Sequence, residues 1–216
     1  MAGGHEASRI EFGVESLSAA GYSVCSNMLS HDLVVSLVAE QRRREDGGDL
    51  NAARIGHNGG EPTLGSSHRQ AQSSWFSDES AAERQYLAFA ERMRLAINRR
   101  LMLGLFEFEA QFLYYPPGGF YRRHVDALVG ARNRVVSMVA YLNEDWASED
   151  GGALAMWASG GEGKPVAEVI PLAGTVVLML SEEIPHEARV SRRERRAVAG
   201  WFHVNGSSAH RSNPAR

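Results

Sequence analysis

Residues 105–126 read LFEFEAQFLYYPPGGFYRRHVD. The first half alternates, with Phe106, Phe108, Ala110, Phe112 and Tyr114 on one parity and Glu107, Glu109, Gln111, Leu113 and Tyr115 on the other. A period of two is the mark of a strand. Pro116-Pro117-Gly118-Gly119 is a turn. The second half ends in His124-Val125-Asp126, and residues two apart in extended chain point to the same side. An imidazole and a carboxylate therefore face one point at the end of a strand. The stretch predicts a β core with a site at its edge.

The same period continues downstream. RVVSMVAYLN from Arg134, ALAMW from Ala153, TVVLMLSE from Thr175 and RRAVAGWFHV from Arg195 all read as strands. Turn-rich pieces separate them: NEDWASEDGG, ASGGEGKP and PLAG. Short strands at regular spacing indicate a sandwich or barrel. Upstream the pattern is different. Gly21 to Asn27 could be a first strand, with Cys25 as a small core residue. Ser30-His31-Asp32 caps a helix over LVVSLVAEQRRRE, with Leu33, Val34, Leu37 and Val38 as its apolar positions. Ser77-Asp78 caps a second helix, in which Tyr86, Phe89, Met93, Ile97 and Leu101 form a core-facing stripe. Residues 1–20 carry weak signals. Residues 47–74 are rich in Gly, Ser and Asn without a sustained period, which predicts a mobile loop acting as a lid or binding loop. The expectation is a mostly β protein with two flanking helices. It is a single domain over 1–216: strand, helices and loop in 1–104, a catalytic β core in 105–204, and a tail in 205–216.

Composition narrows the function. The chain has 216 residues, a net charge of −3, 44% hydrophobic and 23% charged residues, and one cysteine. That charge gives no pull toward nucleic acid or an anionic membrane. No apolar run reaches the roughly 20 residues that span a bilayer, and no signal peptide is visible. These features predict a cytoplasmic protein. One cysteine excludes an internal disulfide and a thiolate cluster, so a metal here takes N and O ligands.

A second histidine stands in Ile184-Pro185-His186-Glu187, followed by the arginine-rich run 192–196. His124, Asp126 and His186 make two imidazoles and one carboxylate with coordination positions left open, the arrangement used by non-haem Fe(II) oxygenases. Hydrolytic zinc sites share the ligand types but commonly use His-Glu-x-x-His, which is absent. His5, His57, His68 and His210 default to solvent, and His203 on the last strand reads as structural.

From Leu105 to Phe202 the sequence resembles the prolyl 4-hydroxylase branch of the Fe(II)/2-oxoglutarate dioxygenases, in particular bacterial relatives of the hypoxia-inducible-factor prolyl hydroxylases. The blocks that carry the resemblance are Tyr115-Pro116 with a glycine turn, Tyr121-x-x-His124-x-Asp126, Tyr141-Leu142-Asn143-x-x-Trp146, Gly151-Gly152-x-Leu154, Pro185-His186-Glu187, and Arg195 leading to Gly200-Trp201-Phe202. The resemblance implies a double-stranded β-helix, or jelly roll, with the N-terminal helices packed on one sheet. It implies Fe(II) held by His124, Asp126 and His186, with 2-oxoglutarate, O2 and ascorbate as further cofactors. Arg195, six residues before Trp201, would take the far carboxylate of 2-oxoglutarate, for which a bidentate guanidinium is suited. Arg193 shares its parity and is the fallback; Arg192 and Arg196 point the other way and read as solvated. Tyr141 would hydrogen-bond the co-substrate, Tyr115 and Tyr121 would line the pocket, Leu154 would wall it, and Trp201 reads as core wall.

Of two departures from the family pattern, the first removes a hydroxyl near the co-substrate carboxylate, which implies weaker co-substrate binding at most, and the second concerns the substrate. Ala199 stands where the family usually has threonine. In Arg69-Gln-Ala71-Gln-Ser-Ser-Trp75 the Arg and Trp keep their spacing, but the acidic position is Ala71, which would leave Arg134 without its partner. Three readings follow: hydroxylation of a prolyl residue in a peptide or protein, with release of succinate and CO2; hydroxylation of a small molecule such as a free amino acid or biosynthetic intermediate; or a non-catalytic jelly-roll binding module. Oligomeric state, stereochemistry and substrate identity stay open.

Overall fold

A computed structural model describes residues 2–53, 67–127 and 134–204, with side chains from residue 5 onward. In chain order its elements are α1 (Ala2–Ala20), β1 (Tyr22–Cys25), α2 (His31–Asp46), β2 (Asn51–Ala52), β3 (Arg69–Gln70), β4 (Gln72–Trp75), α3 (Ala81–Leu101), β5 (Leu105–Tyr115), β6 (Phe120–His124), β7 (Arg134–Tyr141), β8 (Leu154–Met156), β9 (Ala167–Val169), β10 (Val176–Leu180), β11 (His186–Ala188) and β12 (Arg195–Val204). The strands form a seven-stranded sheet, in the order β1-β10-β7-β12-β5-β4-β2, and a five-stranded sheet, in the order β3-β6-β11-β8-β9. All named strand pairs are antiparallel. This is the expected double-stranded β-helix. Among the described residues no helix is long and apolar enough to cross a membrane.

The seven-stranded sheet is buried on both faces. Its outer face (Ala110, Phe112, Met138, Leu178, Val198, Phe202) packs on the helices through Val14, Leu37, Phe89, Met93 and Ile97. Its inner face (Leu113, Tyr115, Tyr141, Val177, Ala197, Trp201) meets Leu154, Met156 and Val169 of the five-stranded sheet. That is why Val176–Met179 reads as an unbroken apolar run rather than an alternation: solvent reaches neither side.

Three of the chain's features differ from the sequence reading. First, residues 2–20 are a helix, so three helices rather than two lie among the described residues. The buried apolar side chains described on it are Ile10, Val14 and Leu17. Gly13 in this helix dilutes the signal, since glycine is about 1 kcal/mol worse than alanine in a helix. Gly13 is there for contact: a Cβ would stand 2.9 Å from Cys25 Sγ on β1. Second, α3 is capped by Ser80, whose Oγ accepts from Glu83 N at 3.1 Å, not by Ser77-Asp78. Ser77 is engaged elsewhere, beside Glu83 and Arg44. Third, the described parts of 47–74 contain strand as well as turn. Asn51–Ala52, Arg69–Gln70 and Gln72–Trp75 pair as strands, while residues 54–66, the tail 205–216 and with them His57 and His210 lie outside the described residues. β3 and β4 are separated by Ala71 alone yet belong to different sheets. Ala71 is the crossing point and packs into the inter-sheet cluster.

The base of this crossing is held by charge. Arg44 of α2 donates to Glu40 at 2.9 Å, to Glu83, to Ser74 Oγ at 2.9 Å, to Ser77 Oγ at 2.9 Å and to the Trp75 carbonyl at 2.6 Å. A buried arginine with two carboxylates and three further acceptors satisfies the requirement that buried charge be paired.

Tyr86 is less well provided for. It is fully buried among Phe76, Phe89 and Phe108, and its hydroxyl has no hydrogen-bond partner among the described residues. Burial pushes its pKa up. A hydroxyl buried without a partner costs about 1–3 kcal/mol. Tyr86→Phe is therefore expected to stabilise the protein by about 1 kcal/mol, read as a higher urea midpoint at unchanged slope. A lowered midpoint would show that the hydroxyl has a partner after all.

Candidate active site

β6 and β11 are antiparallel neighbours, and their register makes His124 and His186 direct Cα partners. Two histidines far apart in sequence thus stand side by side at one sheet position. Their ring centroids are 4.3 Å apart. Asp126 follows two residues after β6. His124 Nε2 lies 3.4 Å from Asp126 Oδ1, and His186 Nε2 lies 3.7 Å from Asp126 Oδ2. One ligand atom from each of the three residues falls within 4.8 Å of the others.

The backbone fixes which nitrogen faces inward. His124 Nδ1 is 2.8 Å from the Arg122 carbonyl and His186 Nδ1 is 3.0 Å from the Ile184 carbonyl. A carbonyl only accepts, so each Nδ1 carries the proton and each Nε2 presents a lone pair to the shared point. The opposite sheet supports the carboxylate: Ser137 of β7 donates to Asp126 Oδ2 at 2.6 Å and touches Ser181 Oγ at 2.8 Å. Burial acts to raise the Asp126 pKa, but His186, His124 and the Ser137 hydroxyl outweigh it and hold it well below the usual carboxylate range. Burial depresses His186, against the attraction of Asp126. One carboxylate and two imidazoles converge, an N/O set suited to a divalent transition metal. The Tyr121 ring stacks on His124 at 3.6 Å between centroids and 21° between planes, and Arg69 of β3 covers Tyr121 at 4.5 Å. Burial pushes the Tyr121 hydroxyl up to about 12.

A second polar group lies deeper between the sheets. Arg195 is 2% exposed. Its Nε donates to the Gly152 carbonyl at 2.8 Å, and its guanidinium sits 4.8 Å from the Tyr115 ring and 5.1 Å from the Tyr141 ring. No carboxylate pairs with it among the described residues. The Tyr141 hydroxyl is buried without a hydrogen-bond partner among them, and burial, against the pull of Arg195, pushes it up to about 12. Gly152 makes the close approach possible: at φ +67 a Cβ there would meet Arg195 Cδ at 3.0 Å. Leu154 of β8 belongs to the same inner cluster as Tyr115 and Tyr141. The sequence-predicted residues therefore fall in two adjoining groups, His124-Asp126-His186 with Tyr121, and Arg195-Tyr141-Tyr115 with Leu154.

The arginine run differs from expectation at one position. Arg193 and Arg192 lie at the surface on Asp150 and on the Glu149 carbonyl. Arg196, expected to be solvated, is 8% exposed and bonds Glu45 of α2 at 2.8 Å. The outward parity of β12 faces α2, not water. Arg134 also differs. It is not left without a partner by Ala71, because Glu109 of β5 takes it at 3.0 and 2.6 Å. Sequence reading missed Ser137, Glu109 and the role of Gly152. The one available signal was parity: Ser137 shares the inward face of an otherwise apolar strand with Val139 and Tyr141.

Comparison with known proteins gives a consistent picture. Residues 110–203 match the family model of the 2OG-Fe(II) oxygenase superfamily. Among solved structures, a prolyl-4-hydroxylase from Pseudomonas putida is 41% identical, with a TM-score of 0.81 over 91% of this chain and 100% of that one. A prolyl hydroxylase from Trichoplax adhaerens, in complex with a hypoxia-inducible-factor peptide fragment, shares the fold at 20% identity and a TM-score of 0.80, over 92% and 90% of the two chains. The α-ketoglutarate-dependent epimerase SnoN of nogalamycin biosynthesis does so at 14% identity and a TM-score of 0.67, over 96% and 92%. A search of curated proteins finds no match.

Proposed function

The chain belongs to the 2OG-Fe(II) oxygenase superfamily and is prolyl 4-hydroxylase-like, and on that premise we propose that it hydroxylates a prolyl residue of a peptide or protein. The observation that carries the reading is the pairing of the two groups: a two-His, one-Asp set and a buried arginine that has no carboxylate partner among the described residues. The residues fit the cofactors. His124 Nε2, His186 Nε2 and Asp126 would hold Fe(II). Arg195 and the unpartnered Tyr141 hydroxyl would hold the far carboxylate of 2-oxoglutarate, which supplies the missing anion and acceptor. With O2, the bound cofactors supply an oxidant that turns R–H into R–OH while 2-oxoglutarate becomes succinate and CO2.

The protein's part is position and shielding. Ser137 fixes the Asp126 carboxylate, and the Arg122 and Ile184 carbonyls fix the imidazole rings. Tyr115 and Leu154 keep water from the co-substrate, and Tyr121 covers His124. The single domain, the reducing and cytoplasmic setting suggested by the buried free Cys25, and ascorbate as accessory reductant form part of the same proposal. Small-molecule hydroxylation is the second reading, favoured by one observation: the substrate-side segment departs from the family at Ala71. The intact ligand and arginine positions speak against a non-catalytic module.

The test is 2-oxoglutarate-dependent succinate formation by the Fe(II)-loaded protein, followed by incubation with host lysate. A proline heavier by the mass of one oxygen in a protein is expected by mass spectrometry. A hydroxylated product found only in the small-molecule fraction would reject the protein-substrate reading. No succinate, together with no 2-oxoglutarate binding, would reject the enzyme.

A further inference from the structure

Two arginines, Arg195 at the start of β12 and Arg134 of β7, which stands opposite His203 near the end of β12, have different electrical settings. Arg195 has no carboxylate partner among the described residues. Arg134 has Glu109 through both Nε and Nη2, and His203 Nε2 stands 3.1 Å from the same carboxylate oxygen. Burial acts against the ionised Glu109, but His203 and Arg134 outweigh it and hold its pKa below the usual value. At neutral pH Glu109 is an anion that offsets Arg134.

The ladders place this pair beside the reacting centre. Trp201 is the Cα partner of Ser137 on one side and of Glu109 on the other. Ser137 is the residue that holds Asp126. The Trp201 ring thus stands in the row that runs from the metal-ligand carboxylate to Glu109. The β7–β12 register shifts after Phe202, skipping Val135, so that Arg134 comes opposite His203; a bulge re-aims a side chain in this way. Arg134 then lies over the Trp201 ring at 3.8 Å from its centroid. Trp75 of β4 also neighbours Trp201, with ring centroids 6.0 Å apart. Trp201 is 6% exposed, and its buried Nε1 has no hydrogen-bond partner among the described residues.

We propose that Glu109 is a specificity-determining residue: by neutralising Arg134 over Trp201, it denies the substrate end of the site a free cation, so that this wall accepts a neutral amide or carbonyl group and rejects a free carboxylate. The inference rests on the reading that substrate lies between Trp201 and His124, Asp126 and His186. A carboxylate brought here would face Glu109, a like charge in a partly desolvated place, while a neutral carbonyl group would meet no such repulsion. The arrangement also directs a diacid co-substrate to Arg195 and keeps it, and its succinate product, off the substrate wall.

The test is the binding stoichiometry of 2-oxoglutarate to the Mn(II)-loaded protein at pH 8 by titration calorimetry. Wild type is expected to take one equivalent. Glu109→Gln, close in shape but uncharged, takes a second and weaker equivalent, at least about tenfold tighter than any second binding in wild type. Glu109→Gln combined with Arg134→Gln loses it again. One equivalent in Glu109→Gln overturns the proposal, and so does a second equivalent in wild type as tight as the one in Glu109→Gln. Failure of wild type to bind at all would instead sink the co-substrate reading; Glu109→Gln would still bind one equivalent at Arg134 if the proposal holds, and none if it does not. N-acetyl-L-prolinamide and N-acetyl-L-proline, which differ in one charge, give the substrate-side version. The acid should gain on the amide by about tenfold in Glu109→Gln, and an unchanged acid-to-amide ratio counts against the proposal.

Discussion

His186→Ala is expected to abolish 2-oxoglutarate-dependent succinate formation, and His124→Ala to do the same. Each removes one of three ligand atoms that lie within 4.8 Å of one another. With two left, the remaining residues cannot hold a divalent ion against water. Loss of metal affinity by more than about 100-fold is expected, beyond the roughly 10–100-fold that loss of an outer partner costs. Ser137→Ala supplies that smaller effect as a graded control, because it leaves all three ligands and removes only the 2.6 Å bond that orients Asp126. Mn(II) titration calorimetry and a succinate assay read both quantities, and circular dichroism checks the fold. Retained turnover in both histidine variants would show that the metal lies elsewhere. A Ser137→Ala effect as large as the histidine effects would show that the hydroxyl does more than orient the carboxylate.

The second large effect concerns Arg195, and its sign on stability is the opposite of its sign on function. A guanidinium 2% exposed with no carboxylate partner among the described residues is costly to bury in the absence of its ligand. Arg195→Met keeps much of the volume and removes that charge. We expect 2-oxoglutarate affinity to fall by about 100-fold or more, since truncating one partner of a buried charge pair costs about 2–5 kcal/mol. The ligand-free protein should meanwhile melt no lower than wild type. Wild type should gain about 2.7 kcal/mol at a co-substrate concentration 100 times Kd, and the variant should gain none. Arg193→Ala, at the surface on Asp150, should leave co-substrate affinity within about twofold. The reverse order of effects would assign the carboxylate to Arg193. An Arg195→Met protein that is destabilised without ligand and still binds 2-oxoglutarate would make the arginine structural.

The two effects were legible to different degrees. His124-x-Asp126 is local, so parity alone placed both groups on one side. Arg195, Ala197, Ala199 and Trp201 share a face by parity too, and the inner cluster holds Ala197, Ala199 and Trp201, with Arg195 between Tyr115 and Tyr141. Arg196 was misread because parity says only that it faces away from Arg195. Whether that side is wet depends on α2, which brings Glu45 to it. The helix over residues 2–20 was missed because three buried side chains make a thin stripe. β3 and β4 were missed because strands of two and four residues are too short to show a period and are held by pairing partners elsewhere in the chain.

The sequence by itself determined the strand periods, the turn glycines, the two parities of β5 and β12, and the ligand types. These follow from bond geometry and from the hydrophobicity of residues a few positions apart, which any segment carries with it. The tertiary structure alone decided that His186 pairs with His124, that Ser137 holds Asp126, that Ala71 is a crossing between sheets, and that Glu109 rather than the segment 69–75 takes Arg134. Each of these is a contact between residues brought together by strand register. Register is set by the burial of whole faces at once, a collective quantity that no single stretch of the chain contains.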